Sequence, residues 1–139
     1  MKINFGRVLL GGLVAGLVLN IGEFVLNEIV LKKQMEVYVA AHNFATPPAS
    51  FLPVAIGLTF VLGIVFVWSY ALVRPRLGPG VKAAAIVGLI AWFGICFYVG
   101  IIYAMLFAIP TDVMAISIAW GLVEYILGAI AGAWLYKEA

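Results

Sequence analysis

The sequence predicts an all-α fold: a four-helix transmembrane bundle, running up-down-up-down, with both termini cytoplasmic. Three observations predict it. First, the 139 residues are 66% hydrophobic and only 10% charged, with a mean hydropathy of +1.20. Ordinary globular domains carry roughly 25% charged residues, and a soluble fold of this length could not hide so much apolar surface. Second, four apolar segments stand at Phe5–Leu31, Phe51–Val73, Val81–Ile109 and Thr111–Tyr136, each longer than the roughly 20 residues that cross a bilayer. Third, Lys2, Arg7, Arg74, Arg76, Lys82 and Lys137 fall on one side of these spans, and only Lys32 and Lys33 on the other. The positive-inside rule assigns the first side to the cytoplasm. The length allows one integral membrane domain over 1–139.

The first span opens with Met1-Lys2-Ile3-Asn4-Phe5-Gly6-Arg7. That start resembles a signal peptide, but the apolar run is too long and no small-x-small cleavage site follows, so it reads as a retained span. The segment 32–50 begins polar, continues as Met35-Glu36-Val37-Tyr38-Val39-Ala40-Ala41 and closes with Thr46-Pro47-Pro48. This pattern fits a short interfacial helix stopped by prolines. Glu28 and Lys32 stand in the favourable i,i+4 order for an ion pair. The second connection, Arg74-Pro75-Arg76-Leu77-Gly78-Pro79-Gly80, is a dense turn signal. Arg74 and Arg76 set topology there, or bind lipid headgroups or a partner. The third span exceeds the length needed to cross, which predicts tilt or protrusion. Ile109-Pro110-Thr111-Asp112 is a tight connection with Thr111 or Asp112 as N-cap. Trp68, Tyr70, Trp134 and Tyr136 lie where an inner aromatic girdle belongs.

The first span carries Gly12, Gly16, Asn20, Glu23 and Asn27 within an arc of about 80°. The fourth carries Ser117, Gly121, Glu124, Gly128 and Gly132, also within about 80°. Small residues let membrane helices approach and polar ones add interhelical hydrogen bonds, so each stripe reads first as a packing face. Gly12-x-x-x-Gly16 and Gly128-x-x-x-Gly132 match the small-xxx-small pattern. The first and fourth spans are expected to pack closely through these stripes. Glu23 and Glu124 should then lie at similar depth and face each other.

A carboxylate in lipid costs at least about 2.5–3.5 kcal/mol, which makes the pair the first candidate site. Two carboxylates sharing a site cannot easily both ionise. The pair is expected to hold a proton or bind a cation, with Asn20, Asn27 and Tyr98 as candidate companions. The competing reading is structural: a protonated Glu bonded to Asn20, Asn27 or a backbone carbonyl as interhelical glue. Ala55, Thr59 and Gly63, and Ala84, Gly88 and Ala91, form narrow faces that suit joining the second and third spans. His42 is the only imidazole, a weak candidate ligand for a haem or chlorophyll-type pigment, and reads more simply as an interfacial histidine. Cys96, the only cysteine, reads as a small core residue.

No Walker, nucleophile-elbow or HExxH motif is present. No catalytic residue, cofactor or metal is expected. The net charge of +2 and the lack of a basic patch interleaved with aromatics argue against nucleic acid. The segments Gly11-Gly12-Leu13-Val14-Ala15-Gly16-Leu17-Val18-Leu19-Asn20-Ile21-Gly22-Glu23, Arg74-Pro75-Arg76-Leu77-Gly78-Pro79-Gly80 and Trp120-Gly121-Leu122-Val123-Glu124 resemble those of small uncharacterised bacterial four-helix membrane proteins. The resemblance implies the architecture and a bacterial inner membrane, and no activity. The expectation is a non-catalytic integral membrane protein, an accessory or scaffold subunit of a larger complex. Its partners would be lipids and other membrane subunits or further copies of itself. The alternatives are a small proton- or cation-coupled transporter working as an oligomer through Glu23 and Glu124, and a lipid- or pigment-binding membrane protein.

Overall fold

A computed structural model describes residues 2–138, and among them the chain forms helices and no strand. Four helices are long and apolar enough to cross a membrane: α1 (Phe5–Val30), α3 (Phe51–Leu77), α4 (Val81–Leu106) and α5 (Thr111–Trp134). Between α1 and α3 lies α2 (Lys32–His42).

Local chemistry accounts for the helix ends. Asn4 caps α1, its Oδ1 accepting from Arg7 N at 3.1 Å, which satisfies one of the unpaired first-turn amides. At its far end α1 widens into a π-helical turn over Leu26–Val30, closed by Leu31 N donating to Leu26 O at 2.8 Å. The change of register coincides with Asn27 Nδ2 bonding back to the Glu23 carbonyl at 2.8 Å, a side chain competing for the backbone. α2 stops at Asn43, which takes a left-handed φ of 51°. Tyr38 is buried and donates its hydroxyl to the Phe107 carbonyl, tying α2 to the end of α4.

Two boundaries differ from the sequence reading. α3 continues through Arg74-Pro75-Arg76 to Leu77, where a turn was expected. Pro75 falls in the last turn, where it removes one backbone bond, and Gly78 at φ 80° closes the end by donating to Arg74 O at 2.9 Å. At α5 the N-cap position belongs to Pro110, without a side-chain bond. Asp112 stands inside the first turn, where its charge meets the positive end of the helix dipole. α4 contains a second π-helical stretch, Phe93–Tyr98, which no periodicity in the sequence announces.

Packing centres on α1, which lies between α3 and α5. Gly63 of α3 is seated between Gly12 and Gly16, so that a Cβ there would collide with the backbone of both. A Cβ on Gly12 would stand 2.5 Å from Ile64 Cα, and one on Gly16 2.8 Å from Phe60 Cα. Against α5 the contacts are different ones: Gly132 meets Gly11, Gly128 meets Leu19, and Gly22 meets Glu124. α4 packs on α5 through Gly88, whose Cβ would lie 2.7 Å from the Tyr125 carbonyl, and Trp92 Nε1 donates to Ile118 O at 2.8 Å. In each of these three pairs one residue number rises as the other falls, so the paired helices run antiparallel. The Gly12–Gly16 stripe was expected on the seam with the last span. It faces α3 instead, because α1 is gripped from two sides, and the row through Gly11, Ala15 and Gly22 takes α5.

The interior is uneven along the bundle. At the end holding Lys2, Arg74, Lys82 and Lys137, buried residues from all four long helices join, among them Val8, Val67, Tyr70, Ala84, Val87 and Ala133. At the opposite end the buried cluster is Leu26, Leu31 and Val113, with Tyr38 and Ala104 buried nearby, and α3 contributes none. From Phe51 to Leu58 every residue of α3 except Ala55 is exposed, as are most residues of α4 beyond Trp92. α3 and α4 therefore share buried packing only from the middle of the bundle to its basic end.

Candidate functional site

The carboxylates stand where α1 meets α5. Glu124 is 5% exposed and is the one buried charged residue among the described residues. Glycine creates the space it occupies: a Cβ on Gly22 would lie 2.7 Å from Glu124 Cδ and 2.9 Å from its Oε2. The carboxyl groups of Glu23 and Glu124 approach each other across this seam. Neither oxygen of Glu124 receives a hydrogen bond from a donor. Trp120 lies alongside, but its Nε1–H goes to the Gly22 carbonyl at 3.2 Å.

Glu23 has a different environment. It is exposed on the flank of α1, as is Asn27. Asn27 Nδ2 donates to the Glu23 carbonyl and, at 3.1 Å, to Glu23 Oε2. One acid of the pair is therefore enclosed and without donors, while the other opens sideways and has one. Uncompensated burial of a carboxylate is among the costliest events in folding, so the chemistry of the pair turns on what satisfies Glu124.

Other predicted companions lie elsewhere. Asn20 turns to α3, donating to the Gly16 carbonyl at 2.9 Å and reaching the Ile56 carbonyl at 3.5 Å. Tyr98 is 58% exposed on α4. The tyrosine near the pair is Tyr125, buried against Cys96 and set edge-on to Phe66 with ring centroids 5.4 Å apart. It was missed because a tyrosine next to Glu124 in sequence falls 100° from it on an ideal helix. Cys96 fits against Gly121, where an added Cβ would stand 2.7 Å from its Sγ. Both π-helical stretches adjoin this region, since Leu26–Val30 follows Glu23 and Phe93–Tyr98 contains Cys96. π-turns are frequent at functional sites.

His42 is held within α2 and its following loop. Its Nδ1–H donates to the Tyr38 carbonyl at 2.8 Å, and its ring stacks with Phe44 at 5.7 Å. Among the described residues no three of His, Cys, Asp and Glu gather as metal ligands. Glu28 and Lys32 form the expected i,i+4 pair at 3.5 Å with both side chains about half exposed. No known protein family, curated protein or solved structure matches this chain.

Proposed function

We propose that this is a non-catalytic integral membrane protein, an accessory or scaffold subunit that docks another membrane-embedded chain along the flank of α1. The observation that carries this reading is the exposure of Glu23 and Asn27 on the flank of a span whose other exposed residues, Glu28 apart, are mostly apolar. Polar side chains facing lipid are expensive, and they normally face protein or water. A neighbouring helix that supplied a donor would satisfy Glu23 and, through it, Glu124. The separation of α3 from α4 beyond the mid-bundle leaves room for such a neighbour. In this reading the helices run up-down-up-down in a bacterial inner membrane, with both termini and the basic end in the cytoplasm.

Photo-crosslinking from Phe24, one residue from Glu23, tests the docking in native membranes. A stoichiometric adduct with another membrane chain is expected, and the combined Glu23→Leu, Asn27→Leu variant should abolish it. An adduct that persists in that variant, or a chain that is solitary in mild detergent, overturns the reading. In a Cys96→Ser background, a membrane-impermeant thiol reagent applied from outside should label cysteine at Ser50 and spare cysteine at Gly78.

One observation favours a second reading. Glu124 has no donor and a second acid at hand, the arrangement that a proton or cation would complete. A small proton- or cation-coupled carrier, working as an oligomer, would use Glu23 as the open member and Glu124 as the enclosed one. Proteoliposomes decide between them: ion or proton flux that is lost in Glu124→Gln favours the carrier, and absence of flux favours the subunit.

A further inference from the structure

A second site lies at the basic end, remote from the carboxylates. A cavity of about 350 Å³ opens among α3, α4 and α5, lined by Tyr70, Arg74, Gly80, Val81, Ile130 and Trp134 among others. Two of its polar side chains, Arg74 and Tyr70, keep donor capacity that no acceptor in the chain takes up with good geometry. Arg74 Nε and Nη1 are both buried and make no hydrogen bond. Nη1 does lie 2.7 Å from Glu138 Oε1, an ion pair without hydrogen-bond alignment. Tyr70 is 4% exposed. Its hydroxyl accepts from Gly80 N at 2.9 Å, which leaves its own proton free to donate. α4 begins here without a side-chain cap, and first-turn amides lack intrahelical partners. A guanidinium, a phenol and a helix N-terminus around one space favour an anion. The opposite side of the cavity, with Ile130 and the 85% exposed Trp134, is apolar and turned to the membrane, which suits an acyl chain.

We propose that this cavity binds the phosphodiester headgroup of an anionic membrane lipid. Arg74 and Tyr70 donate to the phosphate oxygens, and the acyl chain lies along Ile130 and Trp134. Lys2, Lys82 and Lys137 add a positive field at the same end. The guanidinium is pre-set by Tyr136, whose ring centroid lies 5.8 Å from its Cζ. Glu138 opposes the ligand by pairing with the same guanidinium, so its removal should strengthen binding. The site owes nothing to the reading of Glu23 and Glu124.

Native mass spectrometry of the intact protein in mild detergent, titrated with phosphatidylglycerol or with phosphatidylcholine of the same acyl chains, tests the proposal. Phosphatidylglycerol should be retained preferentially. Losing a charge-assisted bond from Arg74 should weaken it about tenfold, and Glu138→Gln should tighten it. Arg74→Gln, Tyr70→Phe and the cavity-blocking Val81→Trp should each reduce retention, whereas Arg76→Gln, an exposed control on the same turn, should not. Unchanged thermal unfolding of Tyr70→Phe and Val81→Trp separates lost binding from lost folding. Equal retention of the two lipids, or equal losses for Arg74→Gln and Arg76→Gln, overturns the proposal. Displacement of the lipid by millimolar inorganic phosphate, with Arg74-dependent phosphate binding, overturns its lipid part and assigns the cavity to a soluble phosphate.

Discussion

Glu124 of α5 is packed against the backbone of Gly22 in α1, with no room between them for a methyl group. That contact sets the position of the buried carboxyl and joins two helices at the residue with the most to lose from misplacement. Gly22→Ala should therefore push Glu124 aside as well as strain the seam. Overpacking of this kind costs about 1–3 kcal/mol. A lowered unfolding midpoint in detergent checks the first effect. Altered labelling of Glu124 by a hydrophobic carbodiimide checks the second. No change in either would mean that α1 and α5 can move apart freely.

Glycines of α3 divide by what they meet. Gly63 is enclosed by the backbones of Gly12 and Gly16, while Gly57, less than two turns earlier on α3, has nothing within 4 Å. Gly63→Ala should destabilise by about 1–3 kcal/mol, because backbone cannot yield as a side chain does. Gly57→Ala should be neutral or stabilising by up to about 1 kcal/mol, the ordinary helix-propensity gain. Thermal unfolding of the two variants side by side gives the comparison, and equal effects would contradict the close approach of α1 and α3.

Tyr38 is the polar link between α2 and the transmembrane helices, through the Phe107 carbonyl. Tyr38→Phe keeps the ring and removes that bond, at about 1 kcal/mol. Global stability should fall slightly, and hydrogen exchange should accelerate across Lys32–His42 while α1 and α5 stay protected. Uniform acceleration would assign Tyr38 to the common core instead.

The Glu28–Lys32 pair should matter little. Both side chains are about half exposed, at a separation of 3.5 Å, and solvent and headgroups screen such pairs. Glu28→Ala and Lys32→Ala should each change stability by no more than about 0.5 kcal/mol. A double-mutant cycle measures the coupling, and a value above about 1 kcal/mol would mean the pair is shielded.

The spans were legible because hydropathy integrates over many residues, and single substitutions barely move it. Glu23 and Glu124 stood out in the sequence as carboxylates deep in apolar spans, and the seam between their helices was legible in part, since Gly128 and Gly132 do meet α1. The allocation of faces was not. Gly11 and Gly12 are adjacent, yet one meets α5 and the other α3, and a stripe about 80° wide cannot say which neighbour takes which edge. The two π-turns were hidden for a related reason: each adds a residue to one turn without altering the hydropathy, and Tyr98, at the end of the second, is exposed. Pro75 misled in the other direction, since a proline signals a break while a helix can absorb it in its last turn.

Glu124 supplies the last prediction, because its burial looks unfavourable for folding alone. It makes no hydrogen bond with a donor, and Leu has nearly its volume. Replacing buried ionisable groups with well-packed apolar ones is often neutral or stabilising by about 1–4 kcal/mol. Glu124→Leu should accordingly be at least as stable as the wild type in detergent, measured by thermal unfolding of the purified protein, while losing the adduct or the flux by which the proposed function is tested. Residues that lower stability are retained where activity needs them. A marked loss of stability in Glu124→Leu would reverse the assignment, making the carboxyl interhelical glue with a partner inside this chain.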